Sequence, residues 1–325
     1  MVHAVQGVTL KVEAGKTLAV VGESGCGKSV TAQAIMGLIP VVGGVIRKGS
    51  IAYNGQSNIA PFSVDQYAQY KQRIGAGDKV SMIFQDPMNS LNPTLTIGEQ
   101  ISEPLVVHKG LSKKEGQKKA IELLDRVRIP DAKLRVRQYP FEFSGGMLQR
   151  AMIAMSLACE PELLIADEPT TALDTTVQDQ ILSLLSELQQ ETAMAMIIIT
   201  HDLGVVARMA DHVAVMYAGR VVESGPSASL FSNPSHPYMQ GLWQAMPHLD
   251  RRQALKPIPG TPPDLSRLYR SCTFAPRCAY RMKVCMEQRP PEFPVNDDQV
   301  SSCWLHHDDA PANPLQMMTA GEDNR

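Results

Sequence analysis

Residues 22–29 read Gly22-Glu23-Ser24-Gly25-Cys26-Gly27-Lys28-Ser29, a complete GxxxxGKS phosphate loop. Its glycines let successive backbone N–H groups turn inward around a phosphate chain, where a Cβ would clash. The helix that follows brings its positive end to the same place, Lys28 reaches the outer phosphates, and the Ser29 hydroxyl is a ligand for Mg²⁺. The chemistry predicted is binding of a nucleoside triphosphate. A second candidate is Leu163-Leu164-Ile165-Ala166-Asp167-Glu168, an apolar run ending in two carboxylates. In a phosphate-loop protein such an Asp holds Mg²⁺, and the adjacent Glu accepts hydrogen bonds from an attacking water and polarises it. Ser144-Gly145-Gly146, just before a helical pattern, offers a hydroxyl and two unhindered amides to a further anion.

An α/β scaffold would position these groups. Short apolar or β-branched runs at Thr17–Val21, Lys79–Phe84, Leu163–Ala166, Ala195–Thr200 and His212–Tyr217 read as strands. Helical patterns at Ser29–Met36, Lys113–Val127, Gly146–Ala158, Thr176–Thr192 and Gly204–Met209 alternate with them, predicting a largely parallel sheet flanked by helices. Residues 99–160 are helical without an obvious strand and read as an inserted helical subdomain. Ten of the 23 prolines fall between Pro257 and Pro314, too many for a sheet or long helices, so a small irregular module is expected there. From about Gln316 the chain reads as a disordered tail. At 325 residues, one large domain and one small one are expected. A net charge of −2 gives no sign of a nucleic-acid partner. No apolar run approaches the ~18 residues that would cross a bilayer. The N-terminus lacks a basic region followed by an apolar core. A cytosolic chain is therefore expected, with its six cysteines outside structural disulfides.

Taken together and in order, these motifs resemble the nucleotide-binding subunit of ATP-binding cassette (ABC) transporters, over residues 4 to about 310. The resemblance implies an ABC-type P-loop ATPase core over 1–230, an extension over 231–315 and a tail over 316–325. Gly22–Ser29 matches the Walker A loop and Leu163–Glu168 the Walker B strand. Ser144, Gly145, Gly146 and Met147 match the signature that completes the ATP site of a second ATPase subunit. Gln85 matches the Q-loop residue that senses Mg²⁺ and γ-phosphate and faces the membrane subunits. Asp174 in Ala172-Leu173-Asp174 matches the D-loop, and His201 matches the switch histidine. The implied activity is hydrolysis of ATP by in-line attack of water, with Glu168 orienting or deprotonating that water. Met147 stands where cassettes in general prefer Gln, Phe143 replaces the commoner Leu, and Leu148 stands where the peptide-importer branch usually has Arg. These side chains are expected to weaken partner contacts without touching the Ser144–Gly146 amides. Family members also begin further upstream, with an aromatic that stacks on adenine. Here the match starts at Ala4-Val5, which implies either a truncated start or ATP affinity resting on phosphate contacts.

Three features resemble the di- and oligopeptide importers within that family. Gln85-Asp86-Pro87-Met88-Asn89-Ser90-Leu91-Asn92-Pro93 is similar to their extended Q-loop. Asn233-Pro234-Ser235-His236-Pro237-Tyr238 is similar to the motif opening their C-terminal extension, which related nickel importers share. The third is Cys272-x5-Cys278-x6-Cys285-x17-Cys303. Spacing alone leaves an iron–sulfur cluster, zinc and ordinary buried or free cysteines all open, although zinc usually takes tighter CxxC pairs. The resemblance implies a 4Fe–4S cluster of structural use. His306 and His307 are expected to be solvated rather than ligands. The implied partners are a second ABC ATPase, two integral membrane permeases and an extracytoplasmic solute-binding protein. The implied place is the cytoplasmic face of the inner membrane, as a peripheral subunit. Competing readings are an ATPase of a nickel or other small-solute importer, a soluble cassette ATPase outside transport, and a non-hydrolysing regulatory subunit.

Overall fold

The computed structural model of the chain describes residues 1–59, 64–246 and 257–311. The expected tail from Gln316 lies outside the described residues. The chain divides into two compact units, one of Met1–Lys11, Leu18–Val30 and Thr200–Arg325, the other of Val12–Thr17 and Thr31–Ile199.

In the second unit, strands Val80–Ile83, Leu163–Asp167 and Ala195–Thr200 are parallel, with Met82 opposite Ile165 and Ile165 opposite Ile197. All their residues are buried, which explains why the sequence shows unbroken apolar runs and not alternation. Helices Ile97–Lys109, Lys113–Arg126 and Gly145–Leu157 follow one another with no strand among them. Thr96 with Glu99, and Ser112 with Glu115, form capping boxes at the first two starts, each satisfying otherwise orphaned N–H groups. A Cβ at Gly116 would stand 2.9 Å from the Ser102 Cβ, so these two helices approach as closely as they do because that position is glycine.

A hairpin and a helix of this unit were not expected from sequence. Ser50–Tyr53 and Gln56–Ile59 form an antiparallel hairpin closed by Asn54 and Gly55, both with positive φ (47° and 75°). Asn-Gly is the pair that a two-residue hairpin turn favours. Helix Val64–Ile74 follows.

In the other unit, Thr17–Val21 runs parallel to His212–Tyr217, with Ala19 opposite Val213. The chain then reverses at Ala218-Gly219, with φ of 49° and 78°, into the antiparallel strand Arg220–Pro226. Val300–Ser301 pairs with that strand, and Phe293–Pro294 pairs outside it. Proline content argued against any sheet here, yet Pro294 occupies the outermost strand, where a missing N–H breaks no inner ladder. The rest of 257–311 is turns, two single-turn 3₁₀ segments and the five-residue helix Lys283–Glu287. Among the described residues no helix is long and apolar enough to cross a membrane.

Candidate functional site

The buried strand Thr17–Val21 delivers the phosphate loop, and the helix beginning at Lys28 continues from it. A Cβ at Gly22 would lie 2.2 Å from the Met216 carbonyl oxygen, and one at Gly27 (φ 104°) would lie 2.3 Å from that of Ala4. Neither position tolerates a side chain without displacing backbone. Lys28 is buried, and its ammonium donates to the carbonyls of Gly22 (2.7 Å) and Glu23 (3.1 Å). The loop is thus closed on its own cation. Ser24 and Gly25 are exposed at its tip and Ser29 is half-buried.

In the other unit Asp167 ends its strand as a buried carboxylate. Glu168 follows with φ 47°, a left-handed conformation uncommon for a residue with a side chain and recurrent at functional sites. Its N–H donates to the Ile199 carbonyl at 2.8 Å, fixing the backbone. Its Oε2 accepts from Gln85 Nε2 (2.9 Å) and Thr171 Oγ1 (2.8 Å). Two site residues predicted separately, 83 positions apart, are therefore in direct contact. Ser144 caps helix Gly145–Leu157, accepting from Met147 N at 3.4 Å. Asp174 caps helix Thr175–Thr192, accepting from Val177 N at 2.9 Å. These two helix starts touch, since a Cβ at Gly146 would come within 2.9 Å of a Val177 methyl. Ser144 and Gly145 are exposed while Phe143 and Leu148 are buried. Phe143 and Leu148 thus fill this chain's interior, while Met147 is half-buried. His201 is exposed, one residue beyond the strand Ala195–Thr200.

Residues that sequence reasoning passed over hold the C-terminal segment in place. Glu223 is buried on Arg220–Pro226. It accepts from the backbone N–H groups of Ser235 and His236, both at 2.8 Å, and from Gln299 Nε2 at 2.8 Å. Burial pushes its carboxyl up to about 7, against the lowering effect of those three donors. The Asn233–Tyr238 motif therefore does structural work: Ser235 and His236 donate to Glu223, and His236 Nδ1 accepts from Tyr238 N at 3.1 Å. No motif marks Glu223 in the sequence. His306, expected to be solvated, is half-buried, and its Nε2 donates to the Ser235 carbonyl at 2.8 Å. His307 is exposed, as expected.

Cys272, Cys278, Cys285 and Cys303 line one small pocket together with His236, Phe274, Tyr280 and Leu305. None of the six cysteines is in a disulfide. Burial pushes the Cys272, Cys278 and Cys303 thiols up, Cys278 to about 11 and Cys303 to about 12, and neighbouring cysteines push the same way. Four thiolates could share this place only with compensating positive charge. The donor set is thus that of a soft metal centre. Among the described residues, however, no group of three or more His, Cys, Asp or Glu side chains is arranged to hold a metal ion. The sulfurs are gathered without being closed on a common point.

A phosphate loop on a buried strand, an Asp–Glu strand end and a capped Ser-Gly-Gly helix define a P-loop ATPase. The chain belongs to the ABC transporter family, whose model matches residues 5–171. Residues 222–285 match the model described as the oligopeptide/dipeptide transporter C-terminal region. The oligopeptide transport ATP-binding protein OppD of Bacillus subtilis is 51% identical over 95% of this chain and 86% of its own length. The dipeptide transport ATP-binding protein DppD of the same organism is 50% identical, over 94% and 89%. The dimeric ATP-binding cassette MJ0796, solved in a post-hydrolysis state with ADP and Pi, superposes with a TM-score of 0.58. It is 26% identical and covers 69% of this chain and 90% of its own.

Proposed function

We propose that this chain is the ATP-hydrolysing subunit energising an importer of dipeptides or oligopeptides. One observation carries the reading: an ABC transporter match and a peptide-transporter C-terminal match lie in tandem on one chain. In this reading residues 22–29 bind the triphosphate, with Lys28 exchanging its loop carbonyls for phosphate oxygens. Mg²⁺, when bound, withdraws charge from those oxygens, and Ser29, Asp167 and Gln85 are the residues to hold it. Glu168, oriented by Gln85 and Thr171, accepts a hydrogen bond from the attacking water and orients or deprotonates it. His201 contacts the γ-phosphate. Ser144, Gly145, Gly146 and Met147 complete the ATP site of a second ATPase subunit, and Asp174 lies at the same contact. Closure of that dimer on ATP drives two membrane permeases through the surface near Gln85. An extracytoplasmic binding protein delivers the peptide, and the chain works as a peripheral subunit on the cytoplasmic membrane face.

The division into a nucleotide-binding domain (1–230, with a helical subdomain at 99–160) and a C-terminal extension (231–315) belongs to the same reading. So does a 4Fe–4S cluster held by Cys272, Cys278, Cys285 and Cys303. Each iron of such a cluster takes one thiolate, so its four sulfur ligands need no common point. That property suits a pocket lined by all four thiols. The cluster would supply the positive charge that lets these buried cysteines ionise.

Substrate class is tested in cells whose own copy of the gene is deleted. Supplying this chain should restore uptake of radiolabelled di- or oligopeptides. Restoration of nickel uptake alone would transfer the assignment to a nickel importer.

A further inference from the structure

We propose that Arg277 is a positioning residue for the phosphate loop, gripping Glu23 and tying nucleotide affinity to the four-cysteine pocket. The proposal rests on the ATPase reading above and adds a control point to it. Arg277 lies in the turn Cys272-Thr273-Phe274-Ala275-Pro276-Arg277-Cys278, directly before one of the pocket cysteines. Its side chain is 4% exposed and reaches across 254 residues of sequence to Glu23, the second residue of the loop. Contact is bidentate: Nη1 to Oε2 at 2.7 Å and Nη2 to Oε1 at 2.9 Å. Such fork-to-fork pairing fixes orientation as well as distance, which a lysine could not reproduce.

The guanidinium is itself held rigidly. Nε donates to the Pro259 carbonyl at 2.9 Å and Nη1 also to the Tyr217 hydroxyl at 3.3 Å. The Tyr217 and Phe274 rings lie 5.7 and 5.9 Å from it. A second hold acts on the same residue, because the Glu23 N–H donates to the Tyr238 hydroxyl at 2.8 Å. Glu23 is thus anchored by side chain and backbone from the C-terminal segment, while Lys28 bonds its carbonyl from within the loop. Phe274 closes the path to the thiols: it lines the cysteine pocket and packs on Tyr217 (5.2 Å) and Tyr238 (5.4 Å), the rings flanking the anchor. A rearrangement of the cysteines therefore moves the turn that carries Arg277.

An anchor of this kind acts by preorganisation. A loop already in its binding shape loses less freedom when a triphosphate arrives, so the anchor strengthens binding while contributing little to the chemical step. The test is equilibrium titration of the full chain with a fluorescent ATP analogue and Mg²⁺, alongside kcat and KM. Arg277→Met should weaken binding roughly tenfold, with kcat changed less than about twofold, and Glu23→Gln should weaken binding to a similar extent. The double variant should be no weaker than either single one, because both remove the same contact. Cys278→Ser should weaken binding similarly, and add nothing once Arg277 is Met. Glu23→Gln carries the test if Arg277→Met fails to fold. Unchanged affinity in the single variants, or effects that multiply in the double, would overturn the proposal. Absence of nucleotide binding by the unaltered chain would instead overturn the ATPase reading beneath it.

Discussion

Glu168→Gln should keep ATP binding and lower turnover by roughly 10²–10⁴-fold, the range that loss of a general base produces. The substitution is isosteric, and its amide can still bond one of the two groups that now contact Oε2, Gln85 and Thr171. Binding survives because the groups proposed to grip the phosphates, Lys28 and the loop amides of residues 22–29, are untouched. Turnover fails because a neutral amide neither accepts a proton nor polarises water as a carboxylate does. The left-handed backbone at Glu168 sets where that carboxylate points, and the Ile199 carbonyl locks it. Phosphate release and retained nucleotide affinity, measured on the same preparation, check both halves. Hydrolysis within tenfold of the unaltered chain would remove Glu168 from the water-activating role.

The second large effect concerns the cysteine pocket. Anaerobic purification should yield about four irons and four acid-labile sulfides per chain, and Cys278→Ser should lose most of both. Burial holds the thiols of Cys272, Cys278 and Cys303 above their ordinary values, so in this pocket they stay protonated unless a multiply charged cation joins them. A cluster would also give the C-terminal segment, short on regular structure, a covalent centre in place of a large apolar core. Zinc in place of iron, or neither metal, would leave the ATPase assignment intact and reduce the pocket to buried thiols.

The nucleotide-handling motifs were legible because their chemistry demands fixed residue types at fixed spacing. Gly22 and Gly27 had to be glycine, since backbone carbonyls stand where their side chains would be. The central strands were legible as apolar runs because they are buried throughout. Boundaries moved by about one residue, as at Lys28–Ile35 against the expected Ser29–Met36. The hairpin around Asn54-Gly55 was overlooked although its turn pair was in plain view. Glu223 and Arg277 were illegible for a different reason. Each matters through partners far along the chain, and a lone Glu or Arg carries no local pattern that announces a buried partner. Leu148 looked like a fault in a contact surface only because sequence does not say which way a helix face points.

Hydrolysis of ATP by this chain is expected to drive peptide inward. The decisive measurement uses proteoliposomes holding the chain, its second ATPase and both permeases, with the binding protein outside and ATP inside. Radiolabelled dipeptide or oligopeptide should accumulate in step with phosphate release, and both should stop with Glu168→Gln or a non-hydrolysable ATP analogue. Accumulation that continues without hydrolysis, or hydrolysis that never moves any peptide, would contradict the account.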